Sequence, residues 1–394
     1  MGKKTIIYFG GLELPDKNAA ASRVLNNAKA IREAGCQVVL IGVSQDCDPD
    51  IQNTKTVYAG FDCWTMHFRT NRDRFSRLVN VAQLHAILRL YPDTAAVILY
   101  NYPALGLYRF MRHCRKAGIA LLADCTEWYL ASGKNPVVRT VKWLDTYLRM
   151  TVLQKKTDGV ICISRFLENY YQNTVKTLYL PPLIDRQDGI WQSERETDDA
   201  CVRLVYSGSP GRRKDRIDQI IEGLYALRER SFLFWVVGIT EAEYLAYYPQ
   251  HKPILAGLSG KVVFLGRVSH QEAVSYVRRA DFSVFFREHN RISAAGFPTK
   301  FVEAMSAGTP VITNMTSNLA DYLADGKNGF FAEQHGGVQA TLAMAVSLDR
   351  ETIGKMRANC NAATFDYRSY IQAVKKFLEG ILYDKRKTEN YDHI

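Results

Sequence analysis

Short apolar runs rich in β-branched residues alternate with longer amphipathic segments along most of the chain. This alternation is typical of parallel α/β units, in which each buried strand is followed by a helix that packs on the sheet. The predicted strands of the first half are residues 5–9, 37–41, 96–100, 120–124 and 159–163, and those of the second half are 202–206, 232–237, 262–265, 282–286 and 311–313. We therefore predict an α/β fold with two doubly wound sheets.

The length of 394 residues exceeds what a single hydrophobic core usually supports, which favours two domains. Residues 186–200 are polar and without periodicity, and we place the interdomain linker there. The first domain then covers residues 1–185 and the second covers 201–365, and we expect a final helix over 366–394 to cross back to the first. Two such domains face each other across a cleft, and open α/β sheets bind ligands at their carboxyl edges.

The net charge of +11 favours anionic partners, which include nucleotides, nucleic acids and anionic membrane surfaces. The eight cysteines form no CxxC pair and have no histidine at zinc spacing, so we interpret them as reduced thiols. No apolar run approaches the roughly 20 residues of a membrane helix. We expect a cytoplasmic protein.

One segment of the first half mixes basic with aromatic and aliphatic residues. The basic residues are Arg139, Lys142, Arg149, Lys155 and Lys156, and the apolar ones include Trp143, Tyr147, Leu148 and Val152. The mixture is typical either of a solvated helix face over a core or of a surface that lies on anionic lipid. The second alternative predicts peripheral contact with the inner face of the cell membrane.

The most informative stretch is residues 294–312, which read AAGFPTKFVEAMSAGTPVI. It predicts a glycine turn, a helix that begins at Pro298 and a stop at Gly308. The amides of Thr299 and Lys300 at this helix start form a seat for phosphate oxygens, and the lysine adds a full charge. Glu303 follows one turn later on the same face, where its carboxylate can accept hydrogen bonds from ribose hydroxyls.

These residues resemble the signature of the retaining GT-B glycosyltransferases of family GT4, in which two glutamates precede an Ala-Met-x-x-Gly-x-Pro-Val run. The resemblance implies that Glu303 is the ribose-binding second glutamate and that Gly296, Phe297 and Pro298 belong to the donor site. Position 295, where the first glutamate is expected, holds Ala295. Arg287 and Glu288 follow a predicted strand shortly before it, and we expect residues of this segment to substitute in the contact with the donor sugar.

The same resemblance assigns further donor-binding residues. In the second half they are Gly208, Arg212, Arg213 and Lys214 in the loop after the first strand, for the donor diphosphate, and Gly266 and Val268, where backbone groups read the base. In the first half they are Gly10, Gly11 and Asn18, whose loop approaches the phosphates. The motif reads Pro-Thr-Lys-Phe-Val-Glu in this chain, at residues 298–303. In this form it is similar to the motif of bacterial surface-polysaccharide transferases.

Two carboxylates, Asp124 and Glu127, follow a later strand of the first half, at an edge that faces the predicted cleft. Either residue can bind acceptor hydroxyls or take a proton from one, or has a structural role such as pairing with an arginine. The glycines after the first strand do not have the GxGxxG spacing, which disfavours a nicotinamide dehydrogenase.

The sequence thus predicts transfer of a hexose-type sugar from a nucleotide diphosphate sugar to a glycan or lipid-linked acceptor in polysaccharide biosynthesis. The resemblance alone implies retention at the anomeric carbon. Amides and cations stabilise the leaving diphosphate, so we expect no cofactor and no obligatory metal. We also expect no nucleic-acid partner. Two alternatives remain open, a nucleotide-sugar epimerase of GT-B shape and a catalytically silent subunit that binds nucleotide or a partner.

Overall fold

The computed structural model describes residues 4–14, 18–79, 81–129, 135–191, 201–210 and 215–391. The chain divides into two compact units. The first contains Met1–Ile184, Ala295–Phe297 and Tyr367–Ile394, and the second contains Asp185–Ala294 and Pro298–Asp366.

The first unit is built on an eight-stranded sheet. Its strands are β1 (Thr5–Gly10), β2 (Gln37–Ser44), β3 (Thr56–Tyr58), β4 (Phe61–His67), β5 (Thr94–Tyr100), β6 (Ala120–Cys125), β7 (Gly159–Cys162) and β8 (Thr177–Tyr179). The helices between them are α1 (Ala19–Glu33), α2 (Asn71–Val79), α3 (Ala82–Leu90), α4 (Ala104–Lys116), α5 (Pro136–Tyr147) and α6 (Arg165–Tyr171). The spatial order is β3-β4-β2-β1-β5-β6-β7-β8, and the edge pair β3–β4 is antiparallel while the other pairs are parallel.

Local signals in the sequence explain why α1 begins and ends where it does. The Asn18 side chain accepts a hydrogen bond from the amide of Ala21 at 2.9 Å and so caps the first turn. The helix ends next to Gly35, whose φ of +100° is unfavourable for other residues. The buried face of α1 packs on β1 and β2 in one of the hydrophobic cores of the first unit.

The second unit is built on a six-stranded parallel sheet in the order β11-β10-β9-β12-β13-β14. Its strands are β9 (Val202–Ser207), β10 (Phe232–Val237), β11 (Val262–Gly266), β12 (Phe282–Val284), β13 (Val311–Thr313) and β14 (Gly329–Phe331). Its helices are α7 (Ile217–Tyr225), α8 (Glu241–Tyr247), α9 (Lys252–Ala256), α10 (His270–Arg279), α11 (Arg291–Ala295), α12 (Thr299–Ser306), α13 (Val338–Ala345) and α14 (Arg350–Ala358). Because all strands are parallel, their carboxyl ends lie along one edge.

The last helix, α15 (Ile371–Tyr391), belongs to the first unit. Its apolar residues, among them Phe377 and Ile381, join the core that β1 and β6 form. A Cβ atom on Gly159 would lie 2.6 Å from Cδ1 of Ile381 and 2.8 Å from Cζ of Phe377, closer than real atoms approach. The absence of a side chain at Gly159 therefore lets α15 lie directly on β7.

All ten predicted strands are present, with ends that differ by up to three residues. Among the described residues, four further strands are present that were not predicted. Three of these, β3, β8 and β14, contain three residues each, too few to show periodicity. The fourth, β4, alternates buried and half-buried residues but contains Asp62 and lacks a β-branched run. None of the described helices combines the length and apolar composition needed to cross a bilayer.

Candidate functional site

The centre of the second sheet carries a buried cluster of charged and polar side chains at the carboxyl ends of β9 and β12. Tyr206 lies in β9, Asp215 follows it, Arg287 lies just beyond β12 and Lys300 lies in the first turn of α12. The Tyr206 hydroxyl donates to Asp215 Oδ2 at 2.7 Å, and Arg287 Nε is 3.4 Å from Asp215 Oδ1. Lys300 Nζ donates to Asp215 Oδ2 and, at 3.0 Å, to the Tyr206 hydroxyl oxygen. We call these residues the Asp215 cluster.

Two cations share one carboxylate in this cluster, so its formal charge is positive. The Asp215 side chain is only 2% exposed. Burial alone would raise its pKa, but the charges of Lys300 and Arg287 outweigh burial and lower the pKa to about 2. Asp215 is therefore ionised at neutral pH and holds both cations in place.

Gly208, directly after β9, lies against the Lys300 ammonium group. A Cβ atom at Gly208 would be 3.1 Å from Lys300 Nζ, and the φ of Gly208 is +149°. Both facts make a larger residue unfavourable there. The structure thus brings together two residues predicted to bind the donor. The other residues predicted from this loop, Arg212, Arg213 and Lys214, lie outside the described residues.

The helix that carries Lys300 begins one residue later than predicted. Pro298 has φ −74° and ψ 113°, so it is the extended residue before α12 and not its first helical residue. Pro298 provides no side-chain cap, the Thr299 side chain is exposed and the Lys300 side chain is buried. Gly308, with φ +68°, follows the end of the helix as predicted.

Glu303 lies one turn along α12, and its side chain is 26% exposed. Its Oε1 is 3.6 Å from Nε2 of His270, the first residue of α10. His270 follows Val268 by two residues, and Gly266 ends β11 with φ +65°. Glu303 therefore lies near the turn that contains Gly266 and Val268.

The segment after β12 is held to the neighbouring strand by Asn314, which follows β13. Asn314 accepts from the Arg287 amide and donates to the Arg287 carbonyl oxygen, both at 2.8 Å. Glu288, next in the chain, is half-buried, and the Asn290 side-chain amide donates to it at 3.4 Å. Asn314 thus fixes the backbone that carries Arg287 and Glu288.

Ala295–Phe297, which include the last residue of α11, belong to the first unit. Ala295, at the position of the expected first glutamate, is fully buried, and its carbonyl oxygen accepts from Ser164 Oγ at 2.7 Å. Gly296 is half-buried and Phe297 is buried. A glutamate at position 295 would bury a charge, which is consistent with the presence of alanine.

The loop after β1 shows structural reasons for residues that were predicted to approach the donor. A Cβ atom at Gly10 would lie 2.8 Å from Cβ of Tyr100 on the adjacent strand β5, so glycine is required for packing. The Asn18 side chain caps α1. Gly11 is half-buried between these two positions.

Asp124, a candidate catalytic residue at the end of β6, is completely buried. Arg23 contacts it through Nη2 at 2.8 Å and through Nε at 3.1 Å, and the Tyr8 hydroxyl donates to Oδ2. A general base has to reach its substrate, and this carboxylate has no exposed surface. The geometry therefore favours the structural alternative, a pair with a nearby arginine, over the catalytic one.

Glu127 lies three residues after Asp124 in the loop beyond β6, and it differs from Asp124 in being half-buried. Burial and the nearby charge of Glu127 raise the pKa of Tyr129 well above its usual value, and burial raises the pKa of Tyr100 to about 12. Glu127 is thus the more accessible of the two carboxylates.

A comparison with known protein families covers the part of the chain that contains this site. A profile of the family described as Glycosyl transferases group 1 matches residues 201–348, which contain the Asp215 cluster and α12. Over these residues, the chain is similar to the group 1 glycosyltransferases. The resemblance to family GT4 is confirmed, whereas the narrower surface-polysaccharide type stays a prediction.

A search of known protein sequences finds a relative that is also described as a glycosyltransferase. The chain is 22% identical to an uncharacterized glycosyltransferase, MJ1178, of Methanocaldococcus jannaschii over 179 residues, which are 45% of this chain and 46% of that protein. The matched stretch is therefore just under half of the relative's length.

Two solved structures have the same fold. The catalytic domain of starch synthase IV from Arabidopsis thaliana, bound to ADP and acarbose, has a TM-score of 0.68 at 12% identity and covers 97% of this chain and 100% of that one. HepE of Anabaena in complex with UDP and glucose has a TM-score of 0.63 at 13% identity, with 96% and 100% covered. The predicted GT-B fold class is confirmed.

Sequence reasoning missed several residues of this candidate site. Asp215, Tyr206 and Asn314 act through contacts with residues far along the chain, and no local pattern indicates such partners. His270 beside Glu303 was also missed, although its position after a capping serine marks a helix start. The described residues contain no group of three His, Cys, Asp or Glu side chains arranged to hold a metal ion.

Replacing Lys300 with methionine is expected to destabilise the second unit and to change its response to acid. The low pKa of Asp215 contributes stability that is present above about pH 4 and is lost as the pH falls towards about 2. Without Lys300 this pKa rises, so we expect the free energy of unfolding to fall by about 2 kcal/mol at pH 7. On acidification, the variant should then lose less of its remaining stability than the wild type does.

Thermal melting of both proteins from pH 7 to pH 2 measures this effect. The matched control is Lys355→Met, which removes the exposed partner of Glu351 on α14 and should change little. Superimposable pH profiles of the wild type and Lys300→Met would contradict the predicted coupling.

Proposed function

We propose that this glycosyltransferase transfers a hexose-type sugar from a nucleotide diphosphate sugar to a glycan or lipid-linked acceptor. The observation that carries the proposal is the Asp215 cluster, which holds Lys300 beside Gly208 at the carboxyl edge of the second sheet. Open α/β sheets bind ligands at this edge. The proposal includes retention at the anomeric carbon, independence of metal and a role in polysaccharide biosynthesis.

The donor diphosphate is proposed to lie at the start of α12. Lys300 and Arg287 supply positive charge there, and the amides of the first turn supply donors. Arg212, Arg213 and Lys214 add further cations in this proposal. Fixed positive groups stabilise the charge that develops as the nucleoside diphosphate leaves, which is the work that a metal ion does in other transferases.

The nucleoside is proposed to lie between Glu303 and the turn after β11. The Glu303 carboxylate accepts from the ribose hydroxyls, and the backbone at Gly266 and Val268 contacts the base. Glu288 is proposed to contact the donor sugar in place of the glutamate that Ala295 replaces. The proposal also retains Gly10, Gly11 and Asn18, together with Gly296, Phe297, Pro298 and Thr299, as parts of the donor site.

On the acceptor side, Glu127 is the better candidate for contact with the reacting hydroxyl. Its side chain is half-buried, whereas Asp124 is enclosed by Arg23 and Tyr8. A carboxylate that is partly exposed can accept a proton from an acceptor hydroxyl.

A panel of nucleotide diphosphate sugars and acceptors tests the proposed function. The similar structures bind UDP and glucose or ADP, so UDP-glucose and ADP-glucose are the first donors to test. A glycoside product supports the proposal. An isomerised donor without acceptor indicates the epimerase, and nucleotide binding without any turnover indicates the silent subunit.

We also propose that the first unit contacts an anionic membrane at the cytoplasmic face through α5. Residues 135–144 are all exposed, and the exposed apolar side chains cover a broad face of the helix. These side chains are 38–69% exposed and are Val137, Val138, Val141, Trp143, Leu144, Tyr147 and Leu148. Trp143 and Tyr147 stack at 5.4 Å, and Arg139 and Lys142 flank the face with charge that complements anionic lipid.

Replacing Trp143 and Leu144 with serine is expected to reduce vesicle binding at least roughly 10-fold, because both side chains insert apolar surface. The measurement is flotation with vesicles of phosphatidylcholine and phosphatidylglycerol at low and high salt. The control Tyr247→Ser removes an exposed aromatic residue of the second unit. Equal flotation of the wild type and the double variant contradicts the proposal, as does the absence of any flotation.

A further inference from the structure

One buried arginine of the first unit has hydrogen-bond donors without a partner. Arg149 is 2% exposed, and its Nη1 donates to the carbonyl oxygen of Asn101 at 3.3 Å. Within the described part of the chain, its Nε and Nη2 are shielded from solvent and make no hydrogen bond. An unpaired buried guanidinium is costly, so its presence calls for a reason other than stability.

Nε and Nη2 project from one edge of the guanidinium, and this edge forms two parallel hydrogen bonds with carboxylate or phosphate oxygens. In the described part of the chain, other arginines use the same edge in this way. Arg23 binds Asp124 through Nε and Nη2, and Arg216 binds Asp218 through Nε at 3.0 Å and Nη2 at 2.8 Å. The Arg149 edge therefore has the geometry of a site for an anion.

The surroundings of Arg149 have features of a functional site. Arg149 lies in the π-helical turn Leu148–Leu153, and π turns are frequent at functional sites. Its partner Asn101 follows β5 in a left-handed conformation with φ +42°, which is unusual for a residue other than glycine. β6 pairs with β5, and the loop after β6 carries the candidate Glu127. Arg149 thus lies on the side of the first unit where the acceptor is proposed to bind.

The Tyr129 ring covers the guanidinium, with 4.8 Å between the ring centroid and Cζ of Arg149. This tyrosine is 42% exposed, so it lies at the surface. A cation–π contact is weaker than a bidentate pair with an anion. The loss of this contact is therefore outweighed when an anion binds in the plane of the guanidinium through Nε and Nη2, and the ring at the surface moves aside to admit it.

We infer that Arg149 binds a phosphate group of the acceptor through Nε and Nη2 when the Tyr129 ring moves aside. The inference rests on the proposed function, because it assigns the site to the acceptor of the transfer reaction. Leu148, next to Arg149 and directly after α5, is exposed and continues the apolar face of that helix. A phosphate at Arg149 that is linked to a lipid would extend its apolar chain along that face, whereas a free phosphorylated glycan would use Arg149 alone.

Calorimetric titration of the full chain tests the inference with geranyl diphosphate and inorganic pyrophosphate as probes. The donor nucleoside diphosphate is kept at saturation so that the second unit does not bind the probes. We expect Arg149→Gln and Arg149→Lys to weaken geranyl diphosphate binding at least roughly 10-fold, since neither retains the two-donor edge. Arg112→Gln, an exposed arginine on α4, is the matched control and should not change binding.

The two probes distinguish the sources of the phosphate. A loss that is confined to geranyl diphosphate supports a lipid-linked acceptor, and an equal loss for pyrophosphate supports a free phosphorylated acceptor. Equal affinities of the wild type and Arg149→Gln for both probes overturn the inference. Titration with the nucleoside diphosphate alone is a separate test of the donor site. Failure to bind it contradicts the proposed donor site and does not bear on the role of Arg149.

A second variant keeps the test decisive if Arg149→Gln folds poorly. Tyr129→Ala retains the arginine and removes the ring that has to move, so we expect geranyl diphosphate to bind several-fold more tightly. Unchanged or weaker binding would contradict the inference that the Tyr129 ring moves aside when a phosphate binds Arg149. Arg149→Gln itself should melt no lower than the wild type, because it removes an unpaired buried charge, and a markedly lower melting temperature would indicate a structural role instead.

Discussion

Replacing Glu303 with alanine is expected to weaken binding of the donor nucleotide by roughly 100-fold, which corresponds to about 3 kcal/mol. The proposed reason is the loss of two hydrogen bonds between a carboxylate and the ribose hydroxyls. The side chain lies on α12 one turn beyond Lys300 and is 26% exposed, so it is partly desolvated before any ligand binds. Titration calorimetry with the donor nucleoside diphosphate measures the effect.

A nucleotide that lacks the ribose hydroxyls sharpens this experiment. The wild type should discriminate against that analogue, and Glu303→Ala should bind both nucleotides with similar affinity. Glu351→Ala, which removes an exposed glutamate of α14, is the matched control for the loss of one surface carboxylate. Unchanged affinity in Glu303→Ala would remove this residue from the proposed donor site.

The second large effect is expected in the first unit, where Asp124→Asn should cost about 3–5 kcal/mol of stability. Asp124 is fully buried, and Arg23 is nearly so, so the substitution leaves a buried guanidinium without its counter-charge. For a unit of this size, the melting temperature should fall by roughly 10 °C. Differential scanning calorimetry of the full chain resolves this transition.

Kinetics and a double variant separate the structural role of Asp124 from a catalytic one. Well below the melting temperature, Asp124→Asn should keep kcat within a few-fold of the wild type, whereas loss of a general base lowers kcat by roughly 100-fold or more. Combining Arg23→Met with Asp124→Leu replaces both charges with apolar groups and should recover much of the stability. A large fall in kcat without a fall in melting temperature would reverse our interpretation.

The sequence predicts the parts of this molecule that depend on local pattern. Ten strands follow from runs of apolar residues, because periodicity acts over a few residues. Residues 294–312 likewise indicate the helix with Lys300 and Glu303. The resemblance to group 1 glycosyltransferases runs almost continuously over residues 202–331, and that segment is its most informative part.

The parts that the sequence does not predict depend on contacts between distant residues. Asp215 meets Lys300 across 85 residues, and Arg23 meets Asp124 across 101. Periodicity tells which face a side chain occupies but not which partner it finds there. For this reason Asp124 and Glu127 were equal candidates in the sequence, although the structure encloses one and leaves the other half-exposed.

The docking of α15 on β7 has a consequence for how this chain is made. Residues such as Phe377 and Ile381 complete a core whose other members, in β1 and β6, leave the ribosome long before them. Until translation reaches α15, the sheet face around Gly159 stays uncovered and prone to aggregation, as in other large proteins with incomplete domains. The first unit therefore completes its core only after the second unit has been synthesised.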